Sequence, residues 1–167
     1  RGIGAASARR LAEAGYDVCV NYAGDKAAAR TVADEVEKLG RRALPFQADV
    51  SDESAVLAMF KAVDGELGRP TALVNNAGIV DLPQPVAEMT ASRLHNMFAV
   101  NITGSFLCAR EAVLRMSTRY GGSGGAIVNL SSVAAVLGSP GQYVDYAASK
   151  GAIDTLTKGL ANEVAAQ

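Results

Sequence analysis

Short β-rich apolar runs alternate with amphipathic helical segments along the whole chain, and that alternation limits the fold more than any other feature. The spacing predicts helices over 4–14, 25–39, 53–67, 88–119 and 143–166. Strands are predicted at 16–22 (YDVCVNY), 42–50 (RALPFQADV), 71–78 (TALVNNAG) and 126–132 (AIVNLSS). In 53–67 the apolar residues Val56, Met59, Phe60, Val63 and Leu67 recur at helical spacing, so one face is built for burial. Gly15 and Gly40 stand where the first two helices should stop. Strands that are apolar on both faces and joined through helices require right-handed crossovers and a parallel sheet. The expectation is therefore an α/β fold, a doubly wound parallel sheet in three α/β/α layers, with residues 1–167 forming a single, partial domain. The glycine-rich GGSGG at 121–125 joins a helix to a strand on the side of the sheet away from ligands, and reads as a flexible loop.

Charge and composition exclude some functions. Sixteen basic residues against seventeen acidic leave a net charge of −1, without the basic footprint of a nucleic-acid or membrane-surface binder. The apolar stretches are interrupted by Gly, Asn or Ser, which argues against a transmembrane span. Cys19 and Cys108 match no metal-ligand spacing, and His95, the only histidine, has no metal partners in sequence. No metal site is expected, and two reduced thiols fit a cytoplasmic location.

Several short motifs carry the chemistry. RGIG at the head of the chain does not fit G-x-G-x-x-G, because residue 7 is Ser. It fits G-x-x-x-G-x-G with the first glycine three residues before Arg1, which predicts a strand ahead of Arg1. If that strand is counted first, the order 3-2-1-4-5 opens a ligand crevice between it and the strand at 71–78. The RGIG turn and VNNAG (74–78) should then face each other across the crevice, with a helix N-terminus aimed at a phosphate. YAASK places Tyr146 and Lys150 one helical turn apart, pointing the same way. A phenol ordinarily titrates near pH ~10, and a neighbouring ammonium favours its ionised form, so this pair can transfer a proton; a surface pair without a role is the alternative. Ser131 and Ser132 end the strand before it, where a hydroxyl could hydrogen-bond a substrate carbonyl or simply cap the chain.

RGIG, ADV (48–50), VNNAG, VNITGSF (100–106), IVNLSS and YAASK stand in the order and approximate spacing of the short-chain dehydrogenase/reductase family. The chain resembles that family over essentially its whole length, and 3-oxoacyl-carrier-protein reductases and glucose-dehydrogenase-like members are close relatives in pattern. The resemblance implies a Rossmann-type fold with further strands beyond Gln167, a nicotinamide cofactor and a homo-oligomer, either a tetramer or a dimer. It implies that Tyr146 is the catalytic acid/base, Lys150 its ribose-binding partner, and Ser132 the carbonyl-orienting hydroxyl. Asn101 resembles the asparagine that holds a helix kink and a water in the proton relay. Asp49 and Val50 look like adenine contacts; Asn76, Ala77 and Gly78 line the nicotinamide-ribose side. The spacing from Ser132 to Tyr146 is one residue longer than the family's, so the 133–145 loop carries an extra residue and Ser131 stays as the lesser candidate. Tyr143 is not the acid/base, since Ala147 stands four residues beyond it.

The cofactor choice rests on two positions. NAD-selective sites place an acid at the end of the second strand, and here Asn21 occupies it, while Asp25 falls at the start of the next helix. Arg1 sits within the Arg1, Gly2, Ile3, Gly4 turn, where a guanidinium can meet a 2′-phosphate. NADP(H) is expected ahead of NAD(H). The function implied is an oxidoreductase interconverting a small-molecule carbonyl and a secondary alcohol; the alternative is a non-catalytic NADP-binding or scaffolding protein. Leu82, Val136, Leu137, Gln142 and Tyr143, in loops that follow two strands, are candidates for the substrate pocket.

Overall fold

The computed structural model describes residues 2–167. Its elements in order are α1 (Gly2–Glu13), β1 (Val18–Tyr22), α2 (Lys26–Lys38), β2 (Ala43–Gln47), α3 (Glu53–Glu66) and β3 (Ala72–Asn75). There follow α4 (Ala91–Phe98), a π-helical turn (Ala99–Thr103), α5 (Gly104–Met116), β4 (Ala126–Asn129), α6 (Ala134–Leu137) and α7 (Val144–Val164). The helix starts follow from side-chain caps. Asp25 accepts from the Ala28 N–H at 2.9 Å, Asp52 from the Ser54 N–H at 2.8 Å, and Thr90 from the Arg93 N–H at 3.2 Å.

Among the described residues all strand pairing is parallel: β1 lies in register with β2 (Val18 opposite Ala43) and β3 with β4 (Ala72 opposite Ala126). Among the described residues the two pairs form separate two-stranded sheets. A cavity of about 750 Å³ is lined by residues of both β1 and β3. It falls where the sequence reading puts the first strand of the 3-2-1-4-5 order. The apolar helix faces close over the sheets in two clusters. Ala5, Ala8 and Ala12 of α1 pack with Val18 and with Val32 and Val36 of α2. Val56, Met59 and Phe60 of α3 pack with Cys108, Ala112 and Met116 of α5 and with Val50. Burial in these layers pushes the Cys19 thiol up to about 12 and the Cys108 thiol up to about 11, so neither is a thiolate nucleophile near neutral pH.

Four sequence expectations need correction. The 88–119 helix is divided by the π-helical turn, and the stretch after β4 is not all loop, because α6 interrupts it. The tract Ala91–Met116 is long and apolar enough to cross a membrane, although here it packs against α3, β3 and α7. The glycine-rich segment is folded back on the end of α5. The Gly122 N–H donates to Ser117 O at 2.9 Å and the Gly124 N–H to Met116 O at 2.8 Å. A Cβ on residue 122 would lie 2.1 Å from Met116 O, so glycine is needed for close approach rather than for looseness.

Candidate active site

The head of α1 meets the end of β3. Gly4 approaches Asn76 so closely that a Cβ on residue 4 would lie 2.7 Å from Asn76 Nδ2 and displace that amide. The expected opposition of RGIG and VNNAG is thus present in the folded chain at Gly4, with Ile3 beside Asn76 in one pocket lining, and Arg1 lies outside the described residues. Gly2 has φ +57°, the left-handed region that glycine tolerates, at the point where the chain enters the helix.

Asn76 also lines a second, smaller pocket of about 190 Å³, together with Ile3, Gly78, Ser131, Tyr146 and Lys150. Asn76 is also among the residues lining the larger cavity, the gap where the first strand of the order belongs. Lys150 is buried at 6% exposure, and its ammonium donates to Leu130 O at 2.6 Å. Its Nζ lies 5.7 Å from the centre of the Tyr146 ring, as the one-turn spacing demands. Burial pushes the Lys150 amine below its ordinary value, partly opposed by the negative charge of Asp154. A Cβ on Gly78 would stand 3.7 Å from Lys150 Nζ and 3.4 Å from Asn101 Oδ1, ordinary contact distances that place Gly78 against both side chains.

Asn101 is 1% exposed within the π-helical turn. Its Oδ1 accepts from the Ile79 N–H at 2.8 Å, and its Nδ2 donates to Ile79 O at 2.9 Å and Ser149 Oγ at 3.0 Å. The π turn re-aims one residue out of an otherwise regular helix, which lets this amide reach the chain just beyond β3. Ser149 in turn donates to Tyr146 O at 2.7 Å, so Asn101 and the Tyr146 turn are joined through one hydroxyl. Sequence reasoning missed Ser149, although it lies inside YAASK.

The remaining expected residues are placed as follows. Ser131 lines the small pocket; Ser132 stands beside it and its Oγ accepts from the Ala134 N–H at 3.2 Å, at the head of α6. Asn21 lines the larger cavity, and its amide donates to Ala48 O at 2.9 Å, tying β1 to the chain beyond β2. Asp49 turns back on Ser51, accepting from its N–H at 2.9 Å and its hydroxyl at 2.7 Å. Val50 is buried and lines the larger cavity, as does Ala77. Asn75, next to the candidate Asn76, donates instead to Asn129 Oδ1 at 2.9 Å and braces β3 against β4. Leu82, Val136 and Leu137 are exposed, whereas Tyr143 is half-buried where α7 begins.

The donors in the crevice suit a dinucleotide. The opening N–H groups of α1 can meet phosphate, Asn76 lines the small pocket, and the Lys150 ammonium can reach ribose hydroxyls. A family model described as short chain dehydrogenase matches residues 1–167. The chain belongs to the short-chain dehydrogenase family. It is 57% identical over 167 residues to the uncharacterized oxidoreductase YgfF of Escherichia coli, covering all of this chain and 68% of that protein. It is 40% identical to a 3-oxoacyl-(acyl-carrier-protein) reductase, FabG, of Staphylococcus aureus, of which it covers 66%. Among solved structures, a short chain dehydrogenase from Burkholderia cenocepacia in complex with NADP superposes with a TM-score of 0.91 at 34% identity. That superposition covers 99% of this chain and 65% of the other. The chain therefore spans about two thirds of the length of these short-chain dehydrogenases.

Proposed function

We propose that the protein is an NADP(H)-dependent oxidoreductase interconverting a carbonyl and a secondary alcohol, with Tyr146 as the acid/base. The observation that carries this reading is the convergence of Tyr146, Lys150, Asn76 and Gly78 on one pocket beside the head of α1. A bound nicotinamide supplies or accepts the hydride. Tyr146 donates the proton to the carbonyl oxygen in reduction and takes it back in oxidation. Ser132 donates a hydrogen bond to the same oxygen, stabilising negative charge where it develops. Lys150 places positive charge beside the phenol and holds the ribose, and Asn101 fixes the chain at Ile79 that walls the pocket. The resemblance further supports a homo-oligomer and the two free cysteines a cytoplasmic location, and Phe106 and Leu114, exposed on α5, are apolar enough for subunit contact.

Two measurements refine the reading in the full-length protein. Ser132→Ala is expected to lower kcat by about 100-fold, the effect of losing one hydrogen-bond donor to the developing alkoxide, while Ser131→Ala stays within about threefold. The reverse order would assign the role to Ser131, whose side chain lines the pocket. The cofactor assignment rests on Asn21 in place of an acid, on Arg1 in the glycine turn, and on the NADP named for the Burkholderia structure. NADPH should therefore exceed NADH in kcat/KM by at least about tenfold, the scale of one charge-assisted phosphate contact. A preference for NADH would overturn it.

A further inference from the structure

Away from the nucleotide site, one charged group on α4 is tied to two other segments of the chain. Arg93 on α4 and Asp145 in the first turn of α7 are buried, with side chains 8% and 0% exposed. Arg93 Nε donates to Asp145 Oδ2 at 2.8 Å and Nη2 to Oδ1 at 3.3 Å, a two-pronged pair. The remaining nitrogen, Nη1, donates to Leu82 O at 2.7 Å and to Gln84 Oε1 at 3.2 Å. A second strut runs alongside, from the Gln84 N–H to Gln142 O at 2.9 Å. Burial works to raise the Asp145 carboxyl, but the bonds from Arg93 and from the Tyr146 N–H outweigh it and hold the group below the usual carboxylate range.

Such a pair is a poor way to gain stability. Two charges taken out of water cost several kcal/mol, and two apolar residues of similar volume often serve as well. What an apolar pair lacks is reach, because the planar guanidinium can satisfy a carboxylate and a backbone carbonyl at once. The segment it grips leads away from β3 and walls the small pocket through Ile79 and Val80. Asn101 holds that segment at Ile79, and Arg93 holds it again at Leu82 and Gln84. Asp145, the far end of the clamp, immediately precedes Tyr146 in sequence.

We propose that Arg93 and Asp145 are positioning residues: a buried clamp that fixes residues 79–84 against the helical turn carrying Tyr146. It sets the geometry of carbonyl binding and turnover and leaves nucleotide binding alone. The proposal rests on the reading of Tyr146 as the acid/base, and its test separates the two. Arg93→Met alone leaves a buried carboxylate unpaired and can fail to fold, so it is paired with Asp145→Asn, which removes both charges together. Arg93→Lys is the second variant; it keeps the charge, but one ammonium cannot hold the carboxylate and Leu82 O in the same fork.

In the full-length protein, amide hydrogen exchange at Ile79 and Gln84 should accelerate about tenfold or more in both variants, as expected for local opening. The kcat for carbonyl reduction should fall by about 10- to 100-fold, the scale of a misplacement near 1 Å, with KM for NADPH unchanged. Unchanged exchange at both amides overturns the clamp whatever turnover does. Accelerated exchange with normal kcat and normal carbonyl KM also overturns it, because the tie would then be purely structural. Accelerated exchange in a protein whose wild type reduces no carbonyl upholds the tie to the Tyr146 turn and overturns the oxidoreductase reading instead.

Discussion

Tyr146→Phe is expected to lower kcat for carbonyl reduction by about 1,000-fold, within the usual range for removing a positioned proton donor. That corresponds to about 4 kcal/mol of lost transition-state stabilisation. The substitution removes one oxygen and leaves the ring, so the helix turn and the Lys150 stem keep their packing. The dissociation constant for NADPH should therefore stay within about threefold, less than 1 kcal/mol. Steady-state kinetics combined with a fluorescence titration of the nucleotide checks both halves. A large loss of nucleotide affinity would make Tyr146 a binding residue, and near-normal turnover would remove it from the chemistry.

Lys150→Met carries the second large effect. Methionine retains an unbranched stem in a buried position but loses the ammonium that sits 5.7 Å from the Tyr146 ring centre and donates to Leu130 O. An expected loss of about 100-fold or more in kcat follows from removing a preorganised positive charge beside the developing alkoxide. NADPH should also bind more weakly, which separates this variant from Tyr146→Phe. The pH dependence has a definite sign. Burial holds the Lys150 amine below its ordinary value, so its charged form is lost as pH rises through a value below the normal lysine range. Wild-type turnover should thus begin to fall at a pH below the normal lysine range, and Lys150→Met should shift that alkaline limb. A limb that stays in place, measured as kcat against pH, would show that Lys150 does not set it.

Much of this arrangement is legible in the sequence because it depends on periodicity and order. Val56, Met59, Phe60 and Val63 announce α3 by spacing alone, and the order of strands alone brings Gly4 opposite Asn76. Other features leave no such trace. The π turn at Ala99–Thr103 is too short to disturb helical spacing, so only the family resemblance marks a kink at Asn101, and α6 is only four residues long. The tie between Arg93 and Asp145 spans 52 positions, and neither residue lies in a nucleotide or proton-transfer motif. GGSGG reads as a loose loop by composition, yet Gly122 is there because Met116 O leaves no room for a Cβ. Composition reports conformational freedom; only the folded chain shows which backbone comes close.

The central claim is that the small pocket transfers a proton through Tyr146 while a nicotinamide exchanges hydride with a carbonyl carbon. The most direct measurement mixes the full-length protein with NADPH and a panel of ketones and aldehydes, and follows the loss of nicotinamide absorbance in the wild type and in Tyr146→Phe. The account predicts carbonyl-dependent oxidation of NADPH in the wild type, falling by about 1,000-fold in the variant. Tight NADPH binding with no oxidation by any carbonyl would point to a binding or scaffolding protein. Equal oxidation in both proteins would contradict the assignment of Tyr146.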